Sequence, residues 1–142
     1  MSDCIFCKIA AKEIPSEFLY EDDNCVVFRD IHPKAKTHLL IVSKKHIHSI
    51  AEMESGDEVI VGHLFNVAKK IAADLGLSGY NLQINVGKEG GQEVFHLHVH
   101  VIPMKPNEGF THGKAFRDFT NPRVCTELQK DAEKIMQHLT KD

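Results

Sequence analysis

Residues 96–102 read His-Leu-His-Val-His-Val-Ile, three imidazoles at two-residue spacing set between large apolar side chains. Alternate residues of an extended strand share a face, so His96, His98 and His100 project from one side. Leu97, Val99 and Val101 then project from the other, towards a core. Imidazole titrates near neutral pH without perturbation, which suits such a face to proton transfer or nucleophilic attack. One reading makes all three histidines ligands of one metal ion. A rise of about 3.3 Å per residue puts His96 and His100 roughly 13 Å apart at Cα, too far for a common ion without severe bending. A second reading makes the central His98 a nucleophile towards phosphorus, forming a covalent intermediate that water splits. The turn 87–92 (GKEGGQ) just upstream offers backbone N–H groups as an anion cradle, and Gln92 adds an amide donor. A third reading is a solvated sheet face that happens to be rich in histidine.

Cys4-Ile5-Phe6-Cys7 is a C-x2-C pair, a common half of a tetrahedral zinc site. The same spacing also describes two thiols one helical turn apart on an apolar face. Cys25 and Cys125 lie in apolar stretches and read as buried thiols.

These residues need elements to hold them. The stretch 4–15 reads as a short helical turn closed at Ile14-Pro15, because the residue before proline disfavours helix. Strands are predicted at 18–22, 25–30, 38–43, 80–86 and 93–103, the last two forming a hairpin across the glycine-rich turn. A central helix runs from about Gly56 to Leu75, with Ser55 and Glu58 at capping-box spacing. Its apolar stripe is Val59, Ile60, Leu64, Val67, Ile71 and Leu75, and Gly76 suits its stop. After an irregular stretch 104–114, a C-terminal helix is predicted from Pro122 to about Leu139, capped by Thr120 or Asn121. The pattern is α+β: an antiparallel five-stranded meander sheet, one long central helix, a short N-terminal helix and a C-terminal helix.

With 142 residues the chain reads as one domain, 1–142, with its core over about 4–103 and a tail over 104–142. A net charge of −3 and no basic stripe argue against nucleic acid as a partner. The sequence has no apolar run of membrane-spanning length and no signal-peptide pattern, so a cytoplasmic protein without membrane association is expected. Four cysteines in that setting do not read as a disulfide framework.

The His-φ-His-φ-His-φ-φ pattern, preceded by 90–95 (GGQEVF), resembles the signature of the histidine triad (HIT) superfamily. The likeness extends through 13–47 and 81–87 and covers roughly 4–103. It is greatest to the nucleoside phosphoramidate hydrolase branch and its bacterial relatives with zinc-site cysteines. The resemblance implies a HIT-like fold and nucleotidyl transfer to water at the α-phosphate of a purine nucleotide. The substrates implied are nucleoside 5′-phosphoramidates or dinucleoside polyphosphates. His98 matches the nucleophile that becomes a nucleotidyl-histidine, and His100 the residue that holds phosphate oxygens and handles protons. His38 matches an upstream supporting histidine, so the catalytic set implied is His98, His100, His96, His38 and Gln92. Asn85, Gly91 and Gln92 fall on the phosphate side, with Asp30 and Ile31 at the ribose and nucleoside. The cysteine pair implies a structural, non-catalytic zinc held by Cys4, Cys7, His46 and His96, with His48 the alternative to His46. His32, His63, His112 and His138 receive no role. A homodimer joined through its sheets is also implied. Glu93 departs from several family members, which carry a small hydroxyl residue there. The contrasting expectation is a nucleotide- and zinc-binding regulatory module whose hydrolysis is incidental.

Overall fold

The computed structural model describes residues 4–30, 38–104 and 136. The chain divides into two compact units, Met1–Gly109 and Phe110–Asp142, and the expected core of 4–103 lies within the first. Ile31, His32, Cys125, His112, His138 and the stretch 104–114 beyond Met104 lie outside the described residues. Of the expected helix 122–139 only Met136 is described, and it is helical.

Helix α1 (Ile5–Ala10) precedes strands β1 (Tyr20–Glu21), β2 (Cys25–Arg29) and β3 (Leu39–Ser43). Helix α2 (Glu58–Asp74) then leads to β4 (Tyr80–Gln83) and β5 (His98–Pro103). The five strands form one antiparallel sheet in the order β1-β2-β3-β5-β4. The order departs from a simple meander at one place. The α2 crossover carries the chain from β3 to the far edge, and β5 folds back between β3 and β4, setting His100 opposite both Leu40 and Gln83.

Strand alternation supplies two cores. Cys25, Val27, Leu39, Ile41, Leu97, Val99 and Val101 pack with Leu64, Val67, Ala68 and Ile71 of α2. Val26, Phe28, Leu40 and Val42 face the other way and pack with Phe6 and Ile9 of α1. β2 and β3 are therefore apolar on both faces, as a sheet covered on both sides requires. The expected apolar side of the histidine strand is the α2 side. The histidine side meets α1 rather than water.

α2 differs in detail from its sequence reading. Its buried residues are Leu64, Val67, Ala68, Ile71 and Ala72, an i, i+3, i+4 stripe. Val59 is 75% exposed because it lies about 140° round the helix from Leu64. Leu75 falls on the stripe but is 50% exposed, since it caps the helix end. The helix also begins later than expected. Ser55–Asp57 form a 3-10 turn, and the capping box joins Glu54 to Asp57 rather than Ser55 to Glu58. Asp57 wins that role because its carboxylate also accepts from Lys45 Nζ at 2.6 Å. Gly76 ends α2 as expected. At φ +67° it donates to Ala73 O while Leu77 donates to Ala72 O, a Schellman closure. Among the described residues no helix is long and apolar enough to cross a membrane.

Candidate active site

β5 starts at His98, five residues later than the sequence suggests, and residues 94–96 form bends. That short ladder is what separates the three histidines. His98 and His100 stay on the strand, whereas His96 sits before it and its ring turns towards α1.

His98 is buried, and its Nδ1 lies 2.6 Å from the backbone carbonyl of His96. A carbonyl only accepts, so Nδ1 carries the proton and Nε2 of the neutral ring carries the lone pair. Burial lowers the His98 pKa, which keeps that lone pair unprotonated at neutral pH. The edge-on ring of Phe6, 5.0 Å away between centroids, fixes the imidazole plane. His100 lies beside it, ring centroids 4.9 Å apart. His100 Nδ1 is 2.8 Å from Nε2 of buried His38, whose Nδ1 is 3.6 Å from the Asp30 carboxylate. Asp30, His38 and His100 thus form a chain leading to the ring next to His98. With a carboxylate beside it, His38 Nδ1 carries the proton, so neutral His38 accepts through Nε2 from His100 Nδ1–H, and Nε2 of His100 presents a lone pair.

A cavity of about 210 Å³ opens on these groups, bounded also by Leu40, Asn85, Gly91, Glu93 and Val94. The burial of His98 and His38 replaces the idea of a solvated histidine face. Asn85 borders the cavity, its side chain held between Gln83 Nε2 and Gly91 O. Gln92 does not border it. Only 4% exposed, its amide accepts from Gly87 N and donates to His48 O and Val94 O. The turn 87–92 likewise spends its own donors: the N–H groups of Gly90, Gly91 and Gln92 bond to carbonyls within it. Those groups brace the cavity wall rather than forming the expected anion cradle. Gly90 is required here, since a Cβ would overlap Val86 O.

The second cluster forms around His96, which has no exposed surface. Its Nε2 lies 2.6 Å from Ser43 O, so Nε2 donates and Nδ1 presents a lone pair. That Nδ1 is 3.2 Å from Cys4 Sγ, 3.4 Å from Cys7 Sγ and 3.2 Å from His46 Nδ1. Burial pushes the His96 pKa down to about 4, keeping the ring neutral and ligand-competent. Two thiols and two imidazoles within 4.8 Å of one another could hold a metal ion, and the S2N2 donor set suits tetrahedral zinc. His48 stands outside the cluster, stacked on Phe95. The resemblance favoured His46 over His48, and it is His46 that the fold brings to the cluster. The three histidines of the motif do not share an ion: among the described residues His96 and His100 belong to different groupings, and His98 to none.

A third grouping had no sequence signal. His63 of α2 lies 2.6 Å from the Asp22 carboxylate, which also accepts from Tyr20 Oη, Asn24 N and Cys25 N. Burial would raise the Asp22 pKa, but these donors hold it well below the usual carboxylate range. The pair ties α2 to the β1–β2 turn. Buried Cys25 nearby is inert, its thiol pushed up to about 12 chiefly by burial.

Comparison with known proteins agrees with this architecture. Residues 11–107 match the family model described as the HIT domain. Protein HitA of Neisseria gonorrhoeae is 48% identical over 103 residues, spanning 72% of this chain and 96% of the relative. The crystal structure of a HIT family hydrolase from Legionella pneumophila Philadelphia 1 is 46% identical with a TM-score of 0.70. That match covers 73% of this chain and 95% of the other. A HIT family protein from Bacillus anthracis is 34% identical with a TM-score of 0.75, covering 96% and 97% of the two chains. Sheet order, the packed histidine strand and these matches together place the chain in the HIT family.

Proposed function

We propose that the chain hydrolyses purine nucleoside 5′-phosphoramidates or dinucleoside polyphosphates at the α-phosphate, through a nucleotidyl intermediate on His98. The observation that carries this reading is the His98 ring: Nδ1 is held by the His96 carbonyl, and Nε2 keeps its lone pair beside the cavity. Nε2 attacks phosphorus and forms an N–P bond while the bond to the leaving group breaks. His100, held through Nδ1–H by His38 and protonated at Nε2, donates from Nε2 to a phosphate oxygen as negative charge gathers there. Water then attacks the same phosphorus, releasing the nucleoside monophosphate and restoring His98. Asp30 and Ile31 contact the ribose and nucleoside. Asn85 and Gly91 line the phosphate side, and Gln92 supports them by fixing the turn. The hydrolase relative from Legionella supports the reaction class.

Cys4, Cys7, His46 and His96 would hold a zinc ion, whose four protein ligands leave no position for a reacting water. Bound there, zinc would supply stability. By holding His96 it would also steady the carbonyl that orients His98. The working unit is proposed to be a homodimer, which sedimentation equilibrium checks directly.

The test is incubation with an adenosine 5′-phosphoramidate followed by intact-mass measurement. Turnover and a trapped adduct of one nucleotidyl mass are expected in the parent protein, and both vanish in His98→Ala. Tight nucleotide binding with neither turnover nor adduct identifies a regulatory module and ends the enzymatic reading.

A further inference from the structure

Cys4 and Cys7 are both thiols, both half-buried, and their Sγ atoms lie within 4.8 Å of each other. Cys4 caps α1, and Cys7 N donates to its Sγ at 3.4 Å, so the two sulfurs share one helical turn. Residues three apart on such a turn stand about 5–6 Å apart at Cβ, so a small local shift brings the sulfurs to bonding range. Access is the second observation. Cys4 borders a groove of about 410 Å³ with Ile5, His46, His48 and Val94, and His46 is itself exposed. Sulfurs that solvent reaches are the ones that oxidants reach. Cys25 is the contrast within the chain, fully buried with its thiol pushed up to about 12.

Resting for its metal on the zinc reading above, we infer that Cys4 and Cys7 are a peroxide-sensitive dithiol whose oxidation to a disulfide dismantles the Cys4/Cys7/His46/His96 site. A thiol held beside a divalent cation is deprotonated, which is the form that reacts. Cys4 Sγ, on the groove side, attacks one oxygen of hydrogen peroxide. An S–O bond forms, the O–O bond breaks and hydroxide leaves. Cys7 Sγ, also as the thiolate, then attacks Cys4 Sγ, forming the S–S bond as the S–O bond breaks and a second hydroxide leaves. The two sulfurs lose two electrons in all, the peroxide gains them, and two solvent protons turn both hydroxides to water. A disulfide offers no thiolate, and His46 and His96 alone are too few for a tetrahedral site. α1 thereby loses its tie to the entry of β5. Phe6 rides on that tie, its ring centroid 6.0 Å from that of His96 and 5.0 Å from that of His98. A dithiol reductant breaks the S–S bond and restores both thiols.

The experiment treats the full chain, incubated with zinc and freed of excess, with an equimolar amount of hydrogen peroxide. Released zinc is read with a chromogenic chelator, and the chain is then alkylated and digested with trypsin. The tryptic peptide 1–8 carries both cysteines, so the disulfide appears as an unalkylated peptide lighter by two hydrogens. That peptide and a matching release of zinc are expected at least about tenfold faster than loss of alkylation at Cys25. Dithiothreitol followed by zinc should restore the starting state. In Cys7→Ser, Cys4 should stop at the sulfenic acid and take up dimedone. A peptide 1–8 that remains alkylated after peroxide, or Cys25 oxidised at the same rate, overturns the inference. Zinc retained by a chain whose disulfide has formed overturns it as well. If the chain takes up no zinc and the disulfide still forms, the zinc reading falls and the dithiol stands on the peptide mass.

Discussion

At the residue scale the site is organised by backbone carbonyls that fix imidazole tautomers. The His96 carbonyl sets the proton of His98 on Nδ1, and the Ser43 carbonyl sets that of His96 on Nε2. Each ring thereby turns a lone pair outward, His98 towards the cavity and His96 towards the thiols. Burial reinforces both, since a desolvated imidazolium is disfavoured. For His96 the pKa falls from 6.5 to about 4, so below pH 6.5 the unfolded chain takes up protons that the folded chain refuses. Stability is complete above that pH and is lost as pH falls towards 4. A shift of this size corresponds to about 3 kcal/mol. Urea titrations of the metal-free protein at pH 7 and 4.5 should register most of this loss, and a His96→Asn variant should lose correspondingly less. The same pH dependence in both proteins would show that His96 is not its source.

At the element scale, two-sided packing of β2, β3 and β5 holds the histidine strand between α1 and α2. Val99 and Val101 anchor it on α2, while His98 lies against Phe6 of α1. Leu64 sits at the centre of the α2 contact and is fully buried. Leu64→Ala should cost about 2–5 kcal/mol, because the cavity it leaves collapses only in part. The denaturant slope should stay unchanged while the midpoint falls. The His98 adduct should still form below the new midpoint, because Leu64 lies on the opposite sheet face. A variant that stays folded yet forms no adduct would mean that α2 shapes the site directly. The alternation of strands and the 3-4 stripe of α2 were legible in the sequence, since period alone sets which face is apolar. The late start of β5 was not: it depends on Leu97 N finding Ile47 O and on the Gln92 amide reaching His48 O.

At the scale of the whole molecule, the Cys4/Cys7/His46/His96 cluster joins segments distant in the chain: the start of α1, the link after β3 and the entry to β5. A metal there would close long loops and fasten α1, which carries Phe6 over His98. One zinc per chain is expected by elemental analysis. Chelation should lower the melting temperature by roughly 10 °C, as loss of a metal worth a few kcal/mol would. Cys4→Ser should reproduce that loss without added chelator. Metal-free protein with an unchanged melting temperature would remove the structural role. If activity instead vanishes on chelation while the melting temperature holds, the metal belongs to catalysis.

The sequence by itself determined which candidate groups share a face: two-residue spacing places His98 and His100 together, and C-x2-C brings two thiols within one helical turn. It also carried the family, through the histidine pattern and the glycine-rich turn before it. Only the tertiary structure decided which groups each histidine meets. His96 leaves the strand geometry and joins the thiols, Gln92 turns inward to brace the turn, and His63 finds Asp22 across 41 residues. The reason is physical. Periodicity is a property of the local chain and can be read from it, whereas a tautomer, a ligand set or a buried ion pair depends on atoms that only folding brings within hydrogen-bond distance.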